Sequence, residues 1–423
     1  MFDQNGALSA RVLLPSLKSS LVLVLFVCLL PTLKAGELTV EDFRFDGPLG
    51  SKGATIEKLG PEHFHVTLSQ APGHPEWSNM LQFTILRNAK GKRLRIGCTV
   101  RGMKKSSSGT NETSGMRCFV SWSYDGKNWT PLRRSTIKEN GKKITTLIFP
   151  KFTQDRVFVG GEVPMSYEDH VGLLRHWEKH PHATLHEIGE SLGGRTMYRL
   201  TVTDPESHVP EARRWVHHAV NQHCYEYNAM WRIAGMIDWL LSEEGADCRR
   251  RHICHFVVTM NVDGPTAGYA RVNAQGIDLN RSYHPDGANP KTQAHESYVV
   301  QKDMEALAEA GPPFTTTWSM HTWAGDQIEM LLRPGAEMGG LFGPPEAFWK
   351  VVKKNDPRDS FKSQTVLDSK PNPSHWCSGT HLQFGASAFC CEGAGDIMTK
   401  EENLYTGEVL MKSLDQYYRG TRP

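Results

Sequence analysis

The sequence predicts an α/β chain in which a small antiparallel β-sandwich precedes a larger mixed sheet covered by helices. Three observations carry this. From residue 37 to about 155, short β-like runs are separated by clusters of Gly, Asn and Lys. After Phe158, strands and helical repeats alternate, as in a sheet packed between helices. The third is the stretch from Asn221 to Leu241, centred on His223-Cys224-Tyr225-Glu226, where a strand hands over to a helix.

At 423 residues the chain is long enough for roughly two or three domains. Charge is balanced, with 48 Lys+Arg against 46 Asp+Glu, so no nucleic-acid or other polyanion partner is expected. Residues 1–35 read as a secretory signal peptide. Arg11 and Lys18 precede an apolar run over 21–30, and Leu33-Lys-Ala35 supplies a cleavage site before Gly36. The run is too short for a comfortable membrane span, so export with release, into a secreted or periplasmic location, is expected.

Of the nine cysteines, Cys28 lies in that segment, which leaves eight. Their spacing matches no simple disulfide or zinc framework. Cys98 and Cys118 fall in one domain and could bridge. Cys224, Cys390 and Cys391 flank the reactive residues and read as buried thiols. Asn111-Glu-Thr and Asn128-Trp-Thr are glycosylation sequons.

In the predicted sandwich, residues 37–155, strands are expected at 64–68, 80–85, 94–100, 118–123 and 144–149. Tyr124-Asp-Gly-Lys-Asn-Trp129 reads as an Asp-Gly turn followed by an aromatic that packs back. Trp122 and Trp129 are core aromatics or, in the sharper reading, a carbohydrate-binding face. The polar stretch 104–115 is a loop between strands.

Residues 156–423 form the predicted second domain. Ser166 caps a helix carrying Leu173, Leu174 and Trp177. Strands follow at 183–188, 197–202 and 214–220. Met230, Ile233, Ile237, Leu240 and Leu241 then recur at helical spacing until Gly245. A strand at 253–260, a turn at 261–264, a helix around 298–309, strands at 314–321 and 386–392 and a closing helix at 404–417 complete the pattern.

The chemistry is carried by four pieces in order: His223-x-x-Glu226, Gly276-Ile-Asp-Leu-Asn-Arg281, Ser319-Met-His321 and Phe389-Cys-Cys-Glu392. An imidazole and a carboxylate three residues apart, where a loop enters a helix, can ligate one Zn²⁺ and leave room for a third ligand and water. The ordered set resembles the zinc carboxypeptidase family of funnelins. It is most similar to the cytosolic-carboxypeptidase-like branch, in which a β-sandwich precedes the peptidase domain. Ser123-Tyr-Asp-Gly-x-x-Trp129 and Gly189-Glu-Ser-Leu-Gly-Gly-Arg195 fit that branch as well.

The resemblance implies a zinc metallocarboxypeptidase holding one zinc per chain through His223, Glu226 and His321. Asp278 matches the carboxylate that fixes the tautomer of the first histidine. Asn280 and Arg281 match the pair that grips a substrate's terminal carboxylate, since a guanidinium fork suits a carboxylate. Glu392 matches the general base and acid, and Arg271 the group that stabilises the oxyanion. The implied partners are peptide or protein C-termini.

Two features depart from the family pattern. Cys224-Tyr225 stands where relatives carry Pro-Gly, and residues 372–384 lack both a tyrosine and the Lys or Arg that an acidic substrate side chain would need. His375, Trp376 and His381 are the pocket residues that stretch offers. Two other readings stay open: an inactive binding protein on the same scaffold, and a zinc amidase acting on cell-wall peptides or acyl amino acids.

Overall fold

A computed structural model describes residues 36–101, 120–132, 135–139, 142–323, 330–333, 345–366, 372–394 and 399–419. The expected signal peptide, the 104–115 loop, Cys118 and the Asn111 sequon lie outside these residues. Residues Glu37–Pro423 form one compact unit.

Its first part is a sandwich. One sheet runs β1 (Phe43–Arg44), β6 (Phe83–Ile85), β12 (Val157–Gly161), β8 (Val120–Ser123) and β9 (Thr130–Leu132). The other runs β10 (Ser135–Glu139), β11 (Lys142–Lys151), β7 (Arg93–Val100), β3 (His63–Leu68) and β2 (Thr55–Gly60). A short hairpin, β4 (Gln70–Ala71) with β5 (His74–Ser78), stands apart. Period-two burial explains the layers. Phe64, Val66 and Leu68 of β3 point inward with Leu94 and Ile96 of β7, and meet Phe83, Ile85, Val157 and Val159 from the opposite sheet.

Pairing is antiparallel except between β3 and β7, which run parallel. The last sandwich strand, β12, lies beyond the expected boundary at Asp155. Trp122 packs edge-on against Tyr124 and Phe152 at centroid distances of 5.0 and 5.6 Å, while Trp129 packs on the core of the second part.

The second part holds an eight-stranded mixed sheet. Its order is β13 (Ala183–Glu190), β14 (Thr196–Val202), β16 (His252–Val257), β15 (Trp215–Asn221), β17 (Phe314–Trp323), β20 (Ser387–Ala394), β18 (Met330–Arg333) and β19 (Ser363–Val366). The four central strands are parallel, and antiparallel strands join on both sides. Every residue of β15 is buried, the mark of a strand covered on both faces. Trp215 and Ala219 face one core, Val216 and Val220 the other.

The helices are α1 (Tyr167–Trp177), α2 (Tyr227–Leu241), α3 (Ala246–Arg251), α4 (Gly264–Ala267), α5 (His295–Ala310), α6 (Pro345–Asn355), α7 (Trp376–Phe384) and α8 (Lys400–Arg419). Ser166 caps α1 in a capping box with Asp169. Helices α2 and α8 cover one face of the sheet together with α1 and α6, and α5 and α7 contribute to the other core. The two long helices approach closely because each has a glycine at the contact. A Cβ on Gly235 would lie 2.0 Å from the Leu404 carbonyl oxygen, and one on Gly407 2.0 Å from that of Arg232.

Candidate active site

β15 neighbours β16 on one side and β17 on the other, so the side on which successive parallel strands are added switches there. In such sheets a crevice opens at the strands' carboxyl ends. His223 follows the end of β15, His321 lies near the end of β17, and Glu392 lies near the end of β20. The parallel register sets His321 directly opposite Glu392, which puts both side chains on the same face of the sheet.

The three expected ligands converge, with ligand atoms within 4.8 Å of one another and all three residues buried. His223 Nδ1 lies 2.9 Å from Glu226 Oε1, and His321 Nδ1 lies 2.7 Å from Glu226 Oε2. The far ring nitrogen of each histidine is held by other groups. His223 Nε2 is 2.9 Å from Asp278 Oδ1, and His321 Nε2 is 2.9 Å from Ser319 Oγ, which donates to Gln222 Oε1. With Nε2–H donated to Asp278, His223 Nδ1 is left as a lone pair facing Glu226, the tautomer that a metal requires.

The electrostatics agree with a cation here. Burial works against charge on Glu226, but His223 and His321 outweigh it and hold its carboxyl well below the usual range. Burial likewise opposes a charged His223, yet Glu226 and Asp278 raise its pKa overall. Carboxylates that favour an imidazolium favour equally a metal ion bound at Nδ1 in place of the proton. Two imidazoles and one carboxylate therefore fit a single zinc with an open coordination position.

The remaining expected residues surround this cluster. Asp278 accepts from Arg271 Nε at 2.7 Å and from the Asn280 backbone N–H at 2.9 Å. Its carboxyl is held low: burial opposes this, and His223 and Arg271 prevail. Asn280 turns its amide inward, with Nδ2 3.1 Å from His321 Nε2 and Oδ1 accepting from the Trp376 N–H at 3.1 Å. Arg281 is exposed and donates to the Asn280 carbonyl at 2.9 Å. Glu392 is partly buried, and burial, aided by Glu226 and opposed by His321, raises its pKa.

The Cys224-Tyr225 departure is accommodated without opening the turn. The Cys224 thiol donates to the Tyr269 carbonyl at 2.6 Å. It fits because residue 264 is glycine; a Cβ there would sit 2.1 Å from the Cys224 sulfur. Tyr225 stacks on His223 with the rings 16° apart. Among the expected pocket residues, Trp376 belongs instead to the core: it is 1% exposed and donates its indole N–H to the Leu279 carbonyl at 2.8 Å. Its apolar bulk beside Tyr283 leaves it no surface to offer a ligand.

Sequence reasoning missed the groups that brace the metal turn from outside. Glu162, at the end of the sandwich, accepts the Asn228 backbone N–H at 2.7 Å and so caps α2. Gln82 accepts from the Tyr227 hydroxyl at 2.9 Å. Arg232, buried in α2, donates to the His321 carbonyl at 3.1 Å. Only a charged residue at a core-facing helical position hinted at the last, and nothing local marks the first two.

A mixed sheet whose strand ends bring two histidines and a glutamate together is a scaffold that fits a single zinc. Residues 172–323 match the zinc carboxypeptidase family, and zinc is that family's metal. The chain is 30% identical over 162 residues to cytosolic carboxypeptidase 2 of Danio rerio; the match covers 36% of this chain and 22% of the relative, about a fifth of its length. In fold it is similar to a metallo-carboxypeptidase from Burkholderia cenocepacia, with TM-score 0.70 and 19% identity over 86% of this chain and 99% of that one. A metallo-carboxypeptidase from Pseudomonas aeruginosa, solved with (2-guanidinoethylmercapto)succinic acid, superposes with TM-score 0.67 and 17% identity over 88% and 97%.

Proposed function

We propose that this protein is a zinc carboxypeptidase that removes C-terminal residues from peptides or proteins. The observation that carries the reading is the convergence of His223, Glu226 and His321 with Glu392 in register beside His321. Those three residues would hold zinc, which would supply Lewis acidity at the open coordination position. Glu392 is the general base: its carboxylate takes a proton from the attacking water and returns it to the leaving amine. Asp278 fixes His223. Arg271, tied to Asp278, supplies positive charge on the side where the oxyanion develops. Arg281, exposed beside Asn280, receives the substrate's terminal carboxylate.

The cytosolic carboxypeptidase 2 relatives and the apolar N-terminal run point to different compartments. Our reading of the run is a signal peptide cleaved near Gly36, tested by N-terminal sequencing of exported protein; a start at Met1 would contradict it.

Paired peptides with free and amidated C-termini test the activity. Free termini should be cut and amidated ones should be poor substrates. Arg281→Ala should weaken only the free series, by about 2–5 kcal/mol in kcat/KM, as for a charge pair losing one partner. Equal cleavage of both series by the wild type would end the carboxypeptidase reading and favour an amidase.

A further inference from the structure

A second group of metal-ligating side chains lies apart from His223. Cys248 of α3, His252 at the first position of β16 and Asp415 of α8 bring their ligand atoms within 4.8 Å of one another. They come from three elements and are almost fully buried, at 0, 0 and 4% exposure.

The decisive group is His252. Its Nδ1 is 2.8 Å from His217 Nε2, and His217 Nδ1 is 2.6 Å from Thr316 Oγ1. Burial holds both rings neutral, pushing the His252 pKa down to about 3. The opposite nitrogen, His252 Nε2, is buried and has no hydrogen-bond partner among the described residues. It faces Asp415 Oδ1 at 3.7 Å. That is too long for a hydrogen bond, yet close to the roughly 3.3–3.6 Å between donors that share a tetrahedral zinc.

The surroundings resemble a ligand shell. His217 grips the back of the His252 ring, as outer partners of metal-bound histidines do. Asp415 Oδ2 accepts from Arg419 at 2.6 Å and Oδ1 from Arg251, which orients the carboxylate and leaves Oδ1 a second lone pair. With Cys248 as thiolate, Cys248, Asp415, Arg251 and Arg419 sum to zero charge before an ion enters.

We propose that Cys248, His252 and Asp415 form a second, structural metal site for a thiophilic divalent transition ion such as Zn²⁺. The thiolate argues against Mg²⁺ and Ca²⁺, which prefer oxygen. Binding forms an S–metal bond and releases the Cys248 thiol proton to solvent. Because the site ties α3 and β16 to α8, and α8 packs on α2, the ion locks the helix pair behind the catalytic turn.

Cobalt titration of the chelator-stripped full chain separates the two sites, because the catalytic trio contains no sulfur. Wild type should bind two equivalents of Co²⁺, one of them producing thiolate-to-cobalt charge-transfer absorption in the near ultraviolet. His321→Ala should lose one equivalent and keep that band; Cys248→Ser should lose the band and keep the other equivalent. A wild-type protein that binds one equivalent with no thiolate band overturns the proposal without touching the catalytic assignment. So does a band that survives in Cys248→Ser or vanishes in His321→Ala. The wild-type spectrum and the His321→Ala arm decide the matter even where Cys248→Ser fails to fold.

Discussion

Asp278 holds His223 Nε2 at 2.9 Å with one carboxylate oxygen and Arg271 Nε at 2.7 Å with the other. One side chain thereby couples the first proposed zinc ligand to the proposed oxyanion group. The turn that carries Asp278 also carries Asn280, whose amide reaches His321.

Asp278→Asn should therefore lower zinc affinity about 10- to 100-fold, because an amide can present its NH₂ to His223 and no longer fixes the tautomer. Competition against a chromogenic chelator measures this. Unchanged affinity would show that His223 is oriented by Glu226 alone.

Glu392→Gln keeps the shape of the strand end and should retain the metal while turnover falls by about 10²-fold or more. Metal content and kcat are measured on the same preparation. Full activity would remove Glu392 from the mechanism.

Glu162 lies at the end of the sandwich with φ of 49°, fully buried, and its carboxylate caps α2. Glu162→Ala should cost about 1–3 kcal/mol through the orphaned helix N–H. It should weaken zinc retention too, since the capped turn follows Glu226 directly. Urea unfolding of the metal-free protein separates the first effect from the second; an unchanged midpoint would refute the cap.

His170 and His218 are buried neutral, with pKa values lowered by burial to about 4 and about 3. The unfolded chain takes up these protons first as pH falls below about 6.5. Stability is then fully present above that value and is lost progressively between about 6.5 and 4, by up to about 3 kcal/mol for His170 alone. Chemical denaturation from pH 7 to 4.5 should show this slope, and His170→Leu should flatten it. A stability independent of pH across that window would mean the rings are not buried in solution.

Much of the site was legible in the sequence because its parts are local. The His223-x-x-Glu226 spacing, the apolar strand before it and the helical period after it are short-range consequences of backbone geometry. The spacing survived the Cys224 substitution because a distant glycine, Gly264, makes room for the sulfur. Strands β18 and β19 and helix α3 went unread, since runs of four to six residues carry no decisive period. Helix α7 was hidden in a stretch whose His and Trp residues suggested a pocket.

What the sequence by itself determined was the order of elements and, through the resemblance of four ordered motifs to a known family, the identity of the reactive groups. Periodicity and spacing act over a few residues and are written in the chain directly. The tertiary structure decided which groups meet. Glu392 stands opposite His321 only because β20 inserts beside β17, 71 residues earlier in register. Trp376 is core because Asn280 and Leu279 take its two N–H groups. Gly235 and Gly407 matter only because two helices 172 residues apart press backbone to backbone. Such contacts depend on close packing between remote segments, and no local pattern encodes them.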